Sequence, residues 1–164
     1  DYLTGLHNRR CLQGRMREEV ARAERQRGSV ACLMIDVDEF KAVNDGHGHG
    51  AGDTLIRCFA TRLAACISSN DLVARIGGDE FVVLLEMPEQ AAAIRAAETM
   101  ATAVCAAMTE PLAVSGHSLP LGASIGIAVS RSDSDGDRLM TDADQALYAA
   151  KAAGRGTWRR ADVH

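Results

Sequence analysis

Two acidic groups in this sequence follow apolar runs and are spaced to bind a divalent metal ion. Asp36 and Asp38 come directly after the apolar run 30–35. Residues i and i+2 of a strand share a face, so both carboxylates can point toward one site. Mg²⁺ typically binds one or two carboxylates together with substrate phosphates. We predict Asp36 as a metal ligand and Asp38 as the N-cap of a short helix that begins at Glu39.

The second acidic group is Gly-Gly-Asp-Glu at residues 77–80, between the apolar runs 72–74 and 81–85. This pattern predicts a β-hairpin, and a primed turn would need positive φ at both glycines. The turn would hold two carboxylates where the backbone can approach a ligand closely. Taken alone, the tetrapeptide also fits a solvated turn without function.

The cationic residues are unevenly distributed. Of the 18 Lys and Arg residues, only Lys41 and Lys151 are lysines. Lys151 and Arg155 are four residues apart, so they lie on one side of a predicted helix end. They fit either a favourable interaction with the helix C-terminus or a clamp on phosphate groups.

The elements that must position these residues alternate between helices and strands. In chain order we predict a helix ending near Gly28, strand 30–35, a helix with Leu55, Ile56, Phe59, Leu63 and Ile67 on one stripe, the hairpin, a helix from Pro88 to Met108, short strands near Pro111 and Pro120, strand 121–129, helix 139–153, and a closing strand at 157–158. This order predicts an α/β (α+β) sandwich whose central, mostly antiparallel sheet is covered by helices. The length fits one domain over residues 1–164.

Composition narrows the class of protein. A net charge of −4 argues against binding a nucleic acid polymer. No apolar run reaches the length of a membrane span, and no signal peptide pattern opens the chain. The five cysteines form no C-x-x-C pair, so we expect reduced core thiols in a cytoplasmic domain.

Other phosphate and metal motifs do not fit. The glycine-rich segment 46–52 has neither the Walker A nor the Rossmann spacing. An EF-hand calcium loop does not fit either, because Phe40 occupies the position where a third metal ligand is needed. His47 and His49 suggest a transition-metal site, but no further ligand is evident nearby in the sequence. We therefore interpret both as hydrogen-bonding or surface residues.

Six ordered blocks at family spacing make the sequence similar to the GGDEF family, the diguanylate cyclases, over nearly its whole length. The blocks are residues 1–10, 36–45, 48–53, 75–81, 124–128 and 143–155. The resemblance implies a palm-like nucleotidyl cyclase fold that condenses two GTP into cyclic di-GMP with release of two pyrophosphates. It further implies Mg²⁺ or Mn²⁺ as cofactor and a homodimer in which each domain holds one GTP.

The resemblance also implies a role for each matching residue. The expected metal ligands are Asp36, the Val37 carbonyl, Asp79 and Glu80, and the expected catalytic residues are Asp79, Glu80 and Lys41. Asn44 and Asp53 are expected to recognise guanine. Phosphate and ribose are expected to bind the backbone of Glu39, Phe40 and Lys41, the glycines Gly77 and Gly78, and the side chains of Lys41, Lys151 and Arg155. Which of Asp79 and Glu80 binds metal and which assists proton transfer stays open.

One departure from the family pattern concerns product inhibition. Many members carry an inhibitory product site, Arg-x-x-Asp, of which Asp71 is present while Ser68 replaces the arginine. Serine cannot make the bidentate contacts of a guanidinium, so we predict that this site is not functional.

The competing hypothesis is a regulatory module that binds GTP or cyclic di-GMP without turnover. Against it, the hairpin acids and Asp36 are all present. In either case the resemblance implies an N-terminal sensory domain in the full-length protein, and in some members a C-terminal phosphodiesterase domain.

Overall fold

The structure is a computed structural model that describes residues 1–131 and 133–162. Its strands are β1 (Ser29–Val37), β2 (Leu72–Arg75), β3 (Glu80–Met87), β4 (Leu112–Val114), β5 (His117–Leu119), β6 (Ala123–Val129) and β7 (Trp158–Arg160). Its helices are α1 (Arg9–Gln26), α2 (Phe40–His47), α3 (His49–Ala65), α4 (Gln90–Ala107) and α5 (Gly136–Ala152).

Five strands form one sheet in the order β2-β3-β1-β6-β7. The central strand β1 is buried along its whole length, as its continuous apolar run predicts. It pairs antiparallel with β3 on one side and with β6 on the other, and only β7 joins in parallel. Strands β4 and β5 form a separate hairpin. The predicted α+β sandwich with a mostly antiparallel sheet is confirmed.

Helices cover both faces of the sheet because the side chains of β1 alternate between two cores. Leu33 and Ile35 face the core that contains Phe59 of α3, whereas Cys32 and Met34 face the core that contains Leu147 of α5. Asp36 continues the second set, so its carboxylate lies on the side of the sheet covered by α1 and α5. None of the helices in residues 1–131 and 133–162 is long and apolar enough to span a lipid bilayer.

The predicted primed turn at the hairpin tip is wrong. Four residues, 76–79, connect β2 to β3, and the Ile76 N–H donates to the Glu80 carbonyl across 2.9 Å. Neither Gly77 nor Gly78 has positive φ, because the longer connection reverses the chain without it. A Cβ at Gly77 would lie 2.8 Å from Glu80 Oε2, so a larger residue there would displace the Glu80 carboxylate.

The predicted N-cap role of Asp38 is also wrong. The N-cap of α2 is Glu39, which has a φ of +60° and makes no side-chain capping bond. Asp38 points toward β6 and the end of α5: its Oδ1 accepts from Ser124 Oγ across 2.7 Å and its Oδ2 from the Gly156 N–H across 2.9 Å. Pairing of β1 with β6 brings Asp38 beside these donors.

Several element boundaries differ from the predictions. The glycine-rich segment after Asn44 is largely helical, because α2 continues to His47 and α3 begins at His49 after Gly48 with a φ of +86°. Helix α4 begins two residues after Pro88, and β6 begins at Ala123. Helix ends are fixed by local capping geometry, which periodicity does not specify.

Candidate functional site

The acidic residues of the two predicted groups meet at one end of the sheet. Asp36 of β1 lies directly opposite Glu80 of β3 in the antiparallel register, so their side chains share a face. The Asp79 carbonyl accepts from the Val37 N–H across 2.9 Å, which attaches the hairpin tip to the end of β1. Strand pairing therefore brings Asp36 to two carboxylates, Asp79 and Glu80, that lie more than forty positions away in sequence.

Burial and neighbouring negative charges raise the pKa of two carboxylates in this cluster, Asp36 and Glu80. Burial raises the pKa of Asp36 above its usual range, and the nearby charges of Asp79 and Asp38 raise it further, against the lowering effect of Lys151. Burial also raises the pKa of Glu80, followed by the charges of Asp36 and Asp79. Burial and like charge both oppose ionisation of these two acids, and a bound cation would offset both effects.

The donor atoms fit a hard divalent ion. Asp36, Asp79, Glu80 and the Val37 carbonyl all offer oxygen, the ligand that Mg²⁺ prefers. In the described part of the chain, no group of three or more His, Cys, Asp or Glu side chains is already arranged to hold a metal ion. A site with few protein ligands that substrate phosphates complete is the usual arrangement for Mg²⁺.

Helix α5 contributes a cation to the same cluster. Lys151, in the last turn of α5, donates from Nζ to Asp36 Oδ2 across 2.7 Å. The loop that follows has positive φ at Gly154, Arg155 and Gly156, and its Gly156 N–H is held by Asp38. Both acids at the end of β1 therefore anchor the end of α5, which places Lys151 beside the acidic cluster.

A second part of the site lies between α2 and α3. A Cβ at Gly52 would lie 1.9 Å from Asn44 Oδ1 and 3.3 Å from Phe40 Cε2, so only glycine admits the Asn44 amide there. Asp53 follows directly and is exposed. The same Phe40 ring approaches Gly78, where a Cβ would lie 3.9 Å from Cε1. Phe40 therefore connects the Asn44–Asp53 region to the hairpin tip.

Two of the predicted phosphate-binding side chains are not joined to the cluster. Lys41 lies in the first turn of α2 and Arg155 follows α5, and both are exposed. Within residues 1–131 and 133–162, no hydrogen bond or ion pair links either side chain to Asp36, Asp79 or Glu80. Both remain available to an added anion.

Arg75 is a residue that sequence reasoning missed. Its guanidinium donates to the Gly78 carbonyl across 2.7 and 3.2 Å and lies 3.3 Å from the Asp1 carboxylate. It thus fixes the hairpin tip against the N-terminal segment. The signal was present, since Asp1 and Arg75 each begin one of the blocks that carry the family resemblance.

Ser68 and Asp71, the two residues at the positions of the predicted non-functional product site, form a local turn. Asp71 Oδ2 accepts from the Ser68 N–H across 3.0 Å, while the Asp71 N–H donates to the Ser68 carbonyl across 3.1 Å. Burial raises the pKa of Asp71 although the Ser68 N–H lowers it. The carboxylate closes its own turn, and Ser68 adds no cation beside it.

Comparisons with known proteins show which family this chain resembles. The family "Diguanylate cyclase, GGDEF domain" matches residues 1–157. The bifunctional diguanylate cyclase/cyclic di-GMP phosphodiesterase MucR of Pseudomonas aeruginosa is 41% identical over 156 residues, which cover 94% of this chain and 22% of MucR. The chain spans about a fifth to a third of the length of the first curated relatives it matches.

Solved structures agree as well. The GGDEF domain of TpbB (YfiN) from Pseudomonas aeruginosa has a TM-score of 0.91 and 40% identity, and the match covers 99% of this chain and 94% of that one. The GGDEF domain of DgcB from Caulobacter crescentus, solved with c-di-GMP, has a TM-score of 0.88 and 28% identity, with coverage of 99% and 95%. This chain belongs to the GGDEF-domain family of diguanylate cyclases.

Proposed function

We propose that residues 1–164 act as one catalytic domain that condenses two GTP into cyclic di-GMP and releases two pyrophosphates. The observation that carries this proposal is the position of Asp36 directly opposite Glu80, with Lys151 bonded to Asp36. A buried and a half-buried carboxylate that repel one another beside a lysine are suited to a metal-bound triphosphate. They have no evident structural advantage, because burial opposes the ionised form of both acids.

Diguanylate cyclases of this family use a divalent metal ion, and we propose Mg²⁺ or Mn²⁺ here. Asp36, the Val37 carbonyl and one or both of Asp79 and Glu80 would hold it. When bound, the ion neutralises phosphate charge and favours loss of the proton from the attacking 3′-hydroxyl. Burial raises the pKa of Glu80, which makes its carboxylate a better proton acceptor than that of a free glutamate.

The remaining residues bind and orient GTP. The Asn44 amide and the Asp53 carboxylate would recognise guanine, because a carboxylate accepts from the N1–H and N2 amine that adenine lacks. The first-turn N–H groups of α2, around Glu39, Phe40 and Lys41, would bind the β- and γ-phosphates. Lys41, Lys151 and Arg155 add positive charge there. Gly77 and Gly78 leave room for the α-phosphate and ribose.

Each domain would hold one GTP, so turnover requires two domains facing each other as a homodimer. Each 3′-hydroxyl then attacks the α-phosphorus of the GTP held by the other domain. In the full-length protein we propose a cytoplasmic location and an N-terminal sensory domain that sets the geometry of the pair. A C-terminal phosphodiesterase domain is a further candidate, because the relative MucR is named as bifunctional.

The test is cyclic di-GMP formation from GTP with Mg²⁺ at rising protein concentration. We expect product to rise more steeply than protein concentration, because only the dimer turns over. Asp79→Ala and Glu80→Ala should form no product while retaining the wild-type fold. Absence of product from the wild type at every concentration, with GTP binding intact, would favour the regulatory module instead.

A further inference from the structure

A pair of histidines lies outside the candidate cyclase site. The rings of His47, in the last turn of α2, and His117, at the start of β5, have centroids 5.1 Å apart and planes tilted by 55°. The two residues are seventy positions apart in sequence, and both are exposed to solvent. His47 is seven residues along α2 from Phe40, a rise of about 10 Å, so the pair is separate from the acidic cluster.

We propose that His47 and His117 form a two-imidazole site for a first-row transition metal ion such as Zn²⁺. With a metal–nitrogen distance of about 2.0–2.1 Å, the ion lies about 3.2 Å from the centroid of each ring it binds. At a tetrahedral angle, this geometry places the two centroids about 5.2 Å apart. The observed centroid separation of 5.1 Å is close to that value.

The surroundings allow an ion to enter and keep bound water. The histidines line an open groove of about 510 Å³ together with Gly46, Gly50, Thr54 and Ser115. The groove separates the β4–β5 hairpin from the junction of α2 and α3. Two protein ligands leave positions for water, and neutral imidazole nitrogen suits Zn²⁺, Cu²⁺ and Ni²⁺ better than Mg²⁺. The proposed site therefore selects a different class of ion from the acidic cluster.

A bound ion would have a defined mechanical effect. His117 follows Gly116, which has a φ of +79° at the turn of the hairpin, whereas His47 lies three residues after Asn44 on α2. Coordination by both rings would tie the β4–β5 hairpin to the helix pair that carries Asn44 and Asp53. The site itself does not depend on the cyclase assignment, because neither histidine belongs to the proposed active site.

Titration of the isotopically labelled domain with Zn²⁺, without nucleotide, tests the proposal through the histidine side-chain NMR signals. We expect the signals of His47 and His117 to shift together and to saturate at one ion per chain. In His47→Asn the His117 signal should respond with at least about ten-fold lower affinity, and the reverse should hold in His117→Asn.

His49→Asn is the matched control, because it removes an exposed neighbouring histidine and should leave the joint response unchanged. The proposal is overturned if the two signals respond at different Zn²⁺ concentrations in the wild type. It is also overturned if either signal responds with unchanged affinity after its partner is replaced. Unchanged backbone signals establish that each variant is folded, and no measurement requires cyclase activity.

Discussion

Replacement of Gly52 by alanine should weaken the binding of guanine while the domain stays folded. The new Cβ would lie 1.9 Å from Asn44 Oδ1, whereas ordinary contact begins at 3.4 Å. The amide oxygen must therefore move by about 1.5 Å, the difference between these two distances. Because the obstructing atom is the end of a side chain, Asn44 can rotate away while the helices stay in place.

The expected loss is the contact between the Asn44 amide and the base. A polar group of the base left without its partner costs about 1–3 kcal/mol. This corresponds to a loss in GTP affinity of about 5- to 150-fold. Calorimetric titration with GTP or a non-hydrolysable analogue measures this loss, and thermal unfolding of the same samples measures the stability.

Gly50→Ala is the matched control, because Gly50 lies in the same first turn of α3 and a Cβ there would meet nothing within 4 Å. We expect wild-type GTP affinity and a gain in stability of about 0.5–1 kcal/mol from the better helix former. Equal GTP affinity in the two variants would refute the placement of Asn44 in the guanine site. Unfolding of Gly52→Ala at room temperature would refute the claim that Asn44 moves freely.

Three further predictions concern the hairpin and the product site. Burial and Asp36 raise the pKa of Glu80 in the folded domain, so ionising Glu80 opposes folding as pH rises through that range. Glu80→Gln should therefore form no product, yet it should unfold at a higher temperature than wild type at pH 7. This difference in unfolding temperature should disappear below a pH of about 4, where the glutamate is protonated in both the folded and the unfolded state. Equal unfolding temperatures at pH 7 would contradict this prediction. Arg75→Lys should lower kcat by about ten-fold or more, because one ammonium cannot replace the two hydrogen bonds to Gly78; unchanged steady-state kinetics would count against that role. Ser68→Arg should lower the inhibition constant for cyclic di-GMP, whereas identical constants in variant and wild type would contradict the predicted role of a guanidinium at this position.

The sequence by itself determined the type and order of the main elements. The continuous apolar run of β1 requires burial on both faces, and the periodicity of α1, α3, α4 and α5 requires one face on the sheet. Local patterns also identified the acidic groups and the two lysines, whereas the missing arginine at Ser68 was identified through the family resemblance. These features depend on neighbours in the chain, which a sequence displays directly.

Only the tertiary structure decided which of these residues act together. Asp36 faces Glu80 because β1 and β3 adopt one antiparallel register, and Lys151 reaches Asp36 because even-numbered side chains of β1 face α5. Asp38 holds Gly156 instead of capping a helix, since β6 and the end of α5 bring better-placed donors to it.

The remaining errors and omissions have the same physical origin. The conformation of the hairpin tip follows from a four-residue connection, whose length is not visible in the pattern Gly-Gly-Asp-Glu. His47 lacked a candidate partner in the sequence because His117 comes close only when the β4–β5 hairpin folds over the junction of α2 and α3. Contacts between distant segments depend on strand register and helix packing, which local sequence does not encode.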